Sequence, residues 1–301
     1  MPTTYCDLFR KLLRPLEPIA TGERAVLRRL DGIRAVLFDL YGTLFISASG
    51  EVGTAGQQSA EQVAAPERAM AEALAAVDVA TQGPADQGVE LFFEAIEASH
   101  AESRRAGVDF PEVDIVEIWR IVLAEMSQRG LVDAAVCQAV DLRRLAVEYE
   151  ARANPCWPMP GLPECLNRLR QAGLTLGIVS NAQFFSAGLF EALLGEPAES
   201  WGFDGQLQYF SYQHGYAKPG LRLYELAAED LRTRGIGPGE VVYVGNDVLN
   251  DIWPANVVKF STGLFAGDAR SLRRREGDPR VAGVSPDLVL TDLGQLADCL
   301  I

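Results

Sequence analysis

Four short polar segments hold the side chains of this chain that can do chemistry: Asp39-Leu-Tyr-Gly-Thr43, Ser180-Asn181, Lys218-Pro219 and Gly245-Asn-Asp247-Val-Leu-Asn-Asp251. A carboxylate such as that of Asp39 is a usable nucleophile when cations stand beside it and water can cleave the ester it forms. Lys218 can offset the charge of Asp39 and of an anionic substrate in a partly dehydrated pocket, where such pairing is stronger than in water. Ser180 and Asn181 can donate hydrogen bonds to a group in transfer, or cap the helix that follows. Asp247 and Asp251 suit Mg2+, a hard cation that takes carboxylates, carbonyls and water; two acids at the positive end of a helix would look the same in sequence.

Such residues need a scaffold that brings distant segments together. Residues 33–39 read as a buried strand, a near-continuous apolar run (Ile33, Ala35, Val36, Leu37, Phe38) that stops at a carboxylate. Similar runs recur at 174–179, 241–244, 262–265 and 288–290, separated by helical or loop sequence. This spacing implies an α/β fold with a parallel sheet and helices on both faces, and in such sheets the ligand sits beyond the carboxyl ends of the strands.

Between the first two strands the pattern changes. From Ser47 a Gly/Ser/Gln stretch is loop-like, and helical patterns follow near 67–78, 86–106, 111–128 and 133–152. In the third, Ile115, Ile118, Trp119, Val122, Leu123 and Met126 recur at helical spacing, opposite Glu117, Arg120 and Glu125. A small helical bundle is expected, left through Asn154–Gly161, which three prolines stiffen. The chain then divides into an N-terminal helical extension (1–32), an α/β core (33–46 and 156–301) and a helical cap (47–155). In the extension, Leu8, Phe9, Leu12, Leu13 and Leu16 can dock on the body.

The 41 acidic and 27 basic residues give a formal charge of −14, which repels nucleic acid and anionic membrane at long range. The expected partner is a small anionic substrate, held by a local cationic site. Arg270, Arg273, Arg274 and Arg275 read as a solvated helix face with no assigned role. No run approaches the roughly 20 apolar residues of a membrane span, and no export signal is read. Five scattered cysteines without CxxC spacing suggest neither a disulfide framework nor a zinc site, so a cytoplasmic location is expected.

In order and spacing, the four polar segments together resemble the four motifs of the haloacid dehalogenase superfamily, over residues 33–301. Ser211–Ala227 is similar to the region around that family's third motif, and the last strand and helix resemble its C-terminal end. The resemblance implies a Rossmann-type parallel sheet with an inserted helical cap, and Asp39 as the nucleophile that is transiently esterified. It also implies Thr43, Ser180 and Asn181 as substrate-binding and orienting residues, and Lys218 as the charge-offsetting cation. Mg2+ would be held by Asp39, the backbone carbonyl of Tyr41, Asp247 and Asp251, although Asn246 can equally occupy the place of the family's first acid in the fourth motif.

Two departures matter. Most phosphatases of the superfamily carry a second aspartate two residues after the nucleophile to protonate the leaving group; here that place is Tyr41, a poor carboxylate substitute that can still donate a hydrogen bond. The run DLYGTLF is similar to the first motif of the L-2-haloacid dehalogenases, which expel halide, need no such acid and need no metal. Against that likeness, Asn246, Val248 and Asn250 stand in the first three places of their Ser/Asn/Trp/Asp pattern, so that only Asp251 survives. A halide-binding arginine cannot be aligned among Arg68, Arg104, Arg105 and Arg120. The expectation is therefore Mg2+-dependent phosphoryl hydrolysis of a small metabolite, with metal-independent 2-haloacid hydrolysis as the alternative and a non-catalytic binding protein as a third. His100 and His214 enter none of these mechanisms.

Overall fold

The computed structural model describes residues 4–49, 65–82 and 85–301; from residue 50 the loop-like stretch lies outside the described residues. Helix α1 (Tyr5–Leu12) is capped by Thr4, whose side chain accepts from the Asp7 N–H. It stops ahead of Pro15 and Pro18, and the chain then runs without regular structure, save one bridge from Val26 to Val289, to strand β1 (Ala35–Phe38). The expected helical extension is thus helical only at its start, because prolines supply no N–H and fix φ. Leu8, Phe9, Leu13 and Leu16 are buried, as the sequence suggested, while Leu12 is half-buried.

Strand β2 (Phe45–Ser47) leads out to the inserted helices α2 (Pro66–Ala76), α3 (Ala85–Arg105), α4 (Ile115–Gln128), α5 (Ala134–Ala139) and α6 (Leu142–Ala153). Strand β3 (Cys156–Pro158) brings the chain back antiparallel to β2, so exit and return are hydrogen-bonded neighbours. The fourth helical pattern of the sequence is two helices, because Val140 is extended and Asp141 restarts the helix by accepting from the Arg144 N–H at 3.0 Å. Likewise residues 111–114 are not helical; Asp114 caps α4, accepting from the Val116 N–H at 2.8 Å. Phe92, Trp119 and Tyr149 meet inside this bundle with centroids 5.0, 5.1 and 5.3 Å apart.

The remaining elements are α7 (Leu162–Gln171), β4 (Thr175–Ser180), α8 (Gly188–Leu194), β5 (Phe203–Phe210), α9 (Ser211–His214), α10 (Arg222–Thr233), β6 (Val241–Gly245), α11 (Trp253–Val257), β7 (Ser261–Phe265), β8 (Leu288–Leu290) and α12 (Gly294–Leu300). Six strands form one parallel sheet in the order β5-β4-β1-β6-β7-β8. Edge strand β5, rich in polar residues (Asp204, Gln206, Gln208), has no apolar run and was not expected from sequence. The four residues of β1 are fully buried and alternate between two cores, Val36 and Phe38 in one and Ala35 and Leu37 in the other, as a strand covered on both faces must. Chain order reverses at β1, with β4 and β5 on one side and β6 to β8 on the other, so a crevice opens at its carboxyl end. Asp39 is the next residue.

Candidate active site

Asp39 follows β1 and its backbone N–H donates to the Val244 carbonyl at 2.9 Å, which fixes the point where its side chain emerges. Asp39 Oδ1 lies 2.8 Å from Lys218 Nζ and accepts from Ser180 Oγ at 2.7 Å. Oδ2 has no hydrogen-bond partner among the described residues. Lys218 Nζ also donates to Asp251 Oδ1 at 2.6 Å and to the Tyr243 hydroxyl at 3.2 Å, so its three donors are all used. One buried ammonium thus bridges two carboxylates. Tyr243, in turn, donates to the Val179 carbonyl at 2.8 Å.

The backbone holds these groups with little freedom. Asn181 Oδ1 accepts from the Lys218 N–H at 2.7 Å and its Nδ2 donates to the Lys218 carbonyl at 3.1 Å, tying two loops together. A Cβ on Gly245 would sit 2.3 Å from Asp251 Cγ, so only glycine lets Asp251 lie against the end of β6. Gly42 has φ +80°, and a Cβ there would sit 2.4 Å from Ser271 Cβ. Thr43 Oγ1 donates to Asn246 Oδ1 at 3.0 Å, joining the first and fourth segments, and Asn246 Nδ2 donates to the Ser271 carbonyl at 2.7 Å.

Charge and burial compete here. Burial works against the Lys218 charge, but Asp251 and Asp39 outweigh it and hold the ammonium above the ordinary lysine range. Burial pushes the Asp251 carboxyl up, with Lys218 opposing. Burial also raises Asp247, against the guanidinium of Arg275, whose Nε and Nη2 lie 3.0 and 2.8 Å from its Oδ2. The other oxygen of Asp247 accepts from the Leu249 and Asn250 N–H groups at 2.8 and 3.1 Å. A polar cavity of about 100 Å³ is lined by Asp39, Tyr41 and Ser47, by Asn181 and Lys218, by Asn246, Asp247, Asn250 and Asp251, and by Arg273 and Arg275.

The structure therefore brings Asp39, Lys218, Asn181, Asp247 and Asp251 together, with Thr43 and Ser180 buried behind them as supports. Tyr41 reaches the cavity wall, but its hydroxyl stands 2.8 Å from Ser186 Oγ, away from the charged cluster, and burial drives its pKa well above the ordinary tyrosine value. Arg273 and Arg275 are not a helix face, as read from sequence; they lie in the loop after β7, where Arg273 bridges to Asp247 through the backbone. Nothing in the sequence run distinguished them from Arg274, which instead pairs with Glu23. Tyr243 was also missed, although a tyrosine inside the apolar run 241–244 needs a hydroxyl partner. His214 packs beside Tyr209 and does not line the cavity, and neither does His100.

In this arrangement the carboxylates expected to hold Mg2+ are engaged by the protein's own groups. Each of the three carboxylates already carries a protein cation or a helix cap, Lys218 occupies the point between Asp39 and Asp251, and Asn246, which with Asp247 is a candidate for the place of the family's first acid, is engaged on both sides. Among the described residues no group of three or more His, Cys, Asp or Glu side chains is disposed to hold a metal ion.

A family model described as haloacid dehalogenase-like hydrolase matches residues 33–258. Among solved structures, a 2-haloacid dehalogenase from Pseudomonas syringae pv. Tomato DC3000 is similar at 20% identity and TM-score 0.58, over 89% of this chain and 97% of that one. An L-2-haloacid dehalogenase from Xanthobacter autotrophicus matches at 20% identity and TM-score 0.47 over 88% and 97%. The protein CbbY from Rhodobacter sphaeroides, in complex with phosphate, matches at 18% and 0.47 over 88% and 96%. No curated protein matches the chain.

Proposed function

Given that the chain belongs to the haloacid dehalogenase-like hydrolases, we propose that it hydrolyses a small anionic substrate through an ester on Asp39, with the Lys218 ammonium in the role a metal ion plays elsewhere. Membership of a hydrolase family weighs against the binding-protein reading. The observation that carries the proposal is the Lys218 bridge, 2.8 Å from Asp39 and 2.6 Å from Asp251. It sets a cation against the nucleophile, orients it together with Ser180, and leaves Oδ2 to attack.

The leaving group follows from Tyr41. With that hydroxyl engaged by Ser186, no acid stands two residues after the nucleophile to protonate an alkoxide, so the group that leaves must be stable as an anion. Halide meets this requirement and asks for no metal to neutralise a phosphoryl group. The reading is therefore hydrolysis of a 2-halocarboxylate. Asp39 Oδ2 forms a bond to the substrate carbon while the carbon–halogen bond breaks and halide departs with the electron pair. Water then adds to Asp39 Cγ, with Asp251, the other carboxylate on Lys218, as its base; the acyl C–O bond breaks, the hydroxy acid takes a proton, and Asp39 is restored with one proton released overall. Arg273 and Arg275 on the cavity wall suit the substrate's carboxylate.

Among the described residues no helix is long and apolar enough to cross a membrane. All five cysteines are free thiols, which supports a reducing compartment such as the cytoplasm. The test is turnover with and without chelator. Halide release from 2-halocarboxylates is expected to be unchanged in excess chelator, within about twofold. Phosphate release that a chelator abolishes, with no halide release, would instead establish the Mg2+-dependent reading.

A further inference from the structure

The cap touches the catalytic loops through a short extended segment ahead of α4. Gln183, which is buried, uses its whole amide on this segment: Nε2 donates to the Val113 carbonyl at 2.9 Å and Oε1 accepts from the Ile115 N–H at 3.0 Å. Glu112 Oε2 accepts from Ser211 Oγ at 2.7 Å, and that hydroxyl accepts from the Ala182 N–H at 2.9 Å. The Phe110 carbonyl accepts from the Ala217 N–H at 2.8 Å, and the Glu112 N–H donates to the Gly215 carbonyl at 3.1 Å. Every core partner lies after β4, in the loop that carries Asn181, or after β5, in α9 and the loop that follows it and carries Lys218.

We propose that segment 110–115 is a positioning clamp, through which the docked cap fixes the Asn181 and Lys218 loops and so sets where the lysine ammonium stands. Gln183 and Glu112 are its positioning residues. The covalent crossings at β2 and β3 lie elsewhere, so this is a separate, non-covalent attachment, and the cap cannot leave it without freeing the backbone that leads into Lys218. The Asn181–Lys218 pair carries the constraint onward: Asn181 is two residues from Gln183, and Lys218 follows Ala217, whose N–H the cap holds. The inference rests on the proposed role of Lys218, since a displacement of about 1 Å at a catalytic group can cost about 100-fold in rate.

The test has one readout that needs no turnover. In Gln183→Ala, amide hydrogen exchange at Ala217 and Lys218 is expected to accelerate about tenfold or more, with β6 amides unchanged. In halide release, kcat should fall about tenfold or more with KM within about twofold. Glu112→Ala should act in the same direction, and Glu112→Gln, which keeps an acceptor for Ser211, should recover most of kcat. Combining Gln183→Ala with Lys218→Met should add nothing to the loss from Lys218→Met alone. Native protection at Lys218 in Gln183→Ala, with native kcat, would overturn the clamp and leave the reaction standing. Lost protection without any halide release from the parent protein would uphold the coupling and remove the reaction. Should Gln183→Ala fail to fold, the Glu112 pair carries the same test.

Discussion

Asp39→Asn is expected to lower kcat/KM by about 10,000-fold or more while leaving the protein folded. The size follows from the role: an amide in place of the carboxylate cannot form the ester, and removing a nucleophile takes away the whole covalent route. The fold should survive because the change is isosteric, Ser180 keeps an oxygen to bond, and Lys218 keeps Asp251. Stability within about 1 kcal/mol of the parent by denaturant titration, together with absent turnover, is the expected pair of results. Full activity in this variant would remove Asp39 from the mechanism.

Lys218→Met should be severe in two ways. Halide release should fall by about 100- to 1,000-fold, the range for removing one preorganised charge-stabilising donor. Stability near neutral pH should drop by about 3–5 kcal/mol, because Asp39 and Asp251 are left buried without their cation. The pH dependence has a definite sign. Burial and the Asp39 charge raise the Asp251 carboxyl, and Lys218 is the main group that opposes them, beside the Asp247 N–H, so removing the lysine raises the folded pKa further. An acid with a raised folded pKa binds its proton more tightly in the folded state, so its contribution is fully present below the unfolded value and is lost as pH rises through the folded one. The deficit of the variant should therefore shrink as pH is lowered toward the ordinary aspartate range. Melting curves that show a constant deficit across that range would contradict the bridged arrangement.

Much of the fold was legible because burial on both faces writes strands as apolar runs, as in Val36 to Phe38 or Val241 to Val244. Edge strand β5 was not, since it carries no apolar run; its signal is alternation, with Asp204, Gln206 and Gln208 facing partly outward between the buried Phe203, Leu207 and Tyr209. The split between α5 and α6 had a readable signal in Asp141, a capping residue inside an otherwise helical pattern. At the site, Asp39, Lys218, Asp247 and Asp251 could be named because residue type and position after a strand carry the chemistry. What each does was harder. Whether Asp247 faces a cation of the solvent or an arginine of the chain depends on the loop after β7, and a run of four arginines within six residues does not say which side chain turns inward. Tyr41 raised the question of the leaving group from sequence, but only its contact with Ser186 shows where the hydroxyl goes.

The most direct test of the central claim is a single turnover in water enriched in oxygen-18, with enzyme in excess over a 2-halocarboxylate, followed by mass analysis of the hydroxy acid and of the peptide containing Asp39. If Asp39 attacks the substrate and water then attacks Asp39 Cγ, the product carries an oxygen from the protein and is unlabelled, while the Asp39 peptide gains the heavy isotope. Label in the product with an unlabelled Asp39 would mean that water attacks the substrate directly, and would contradict the account.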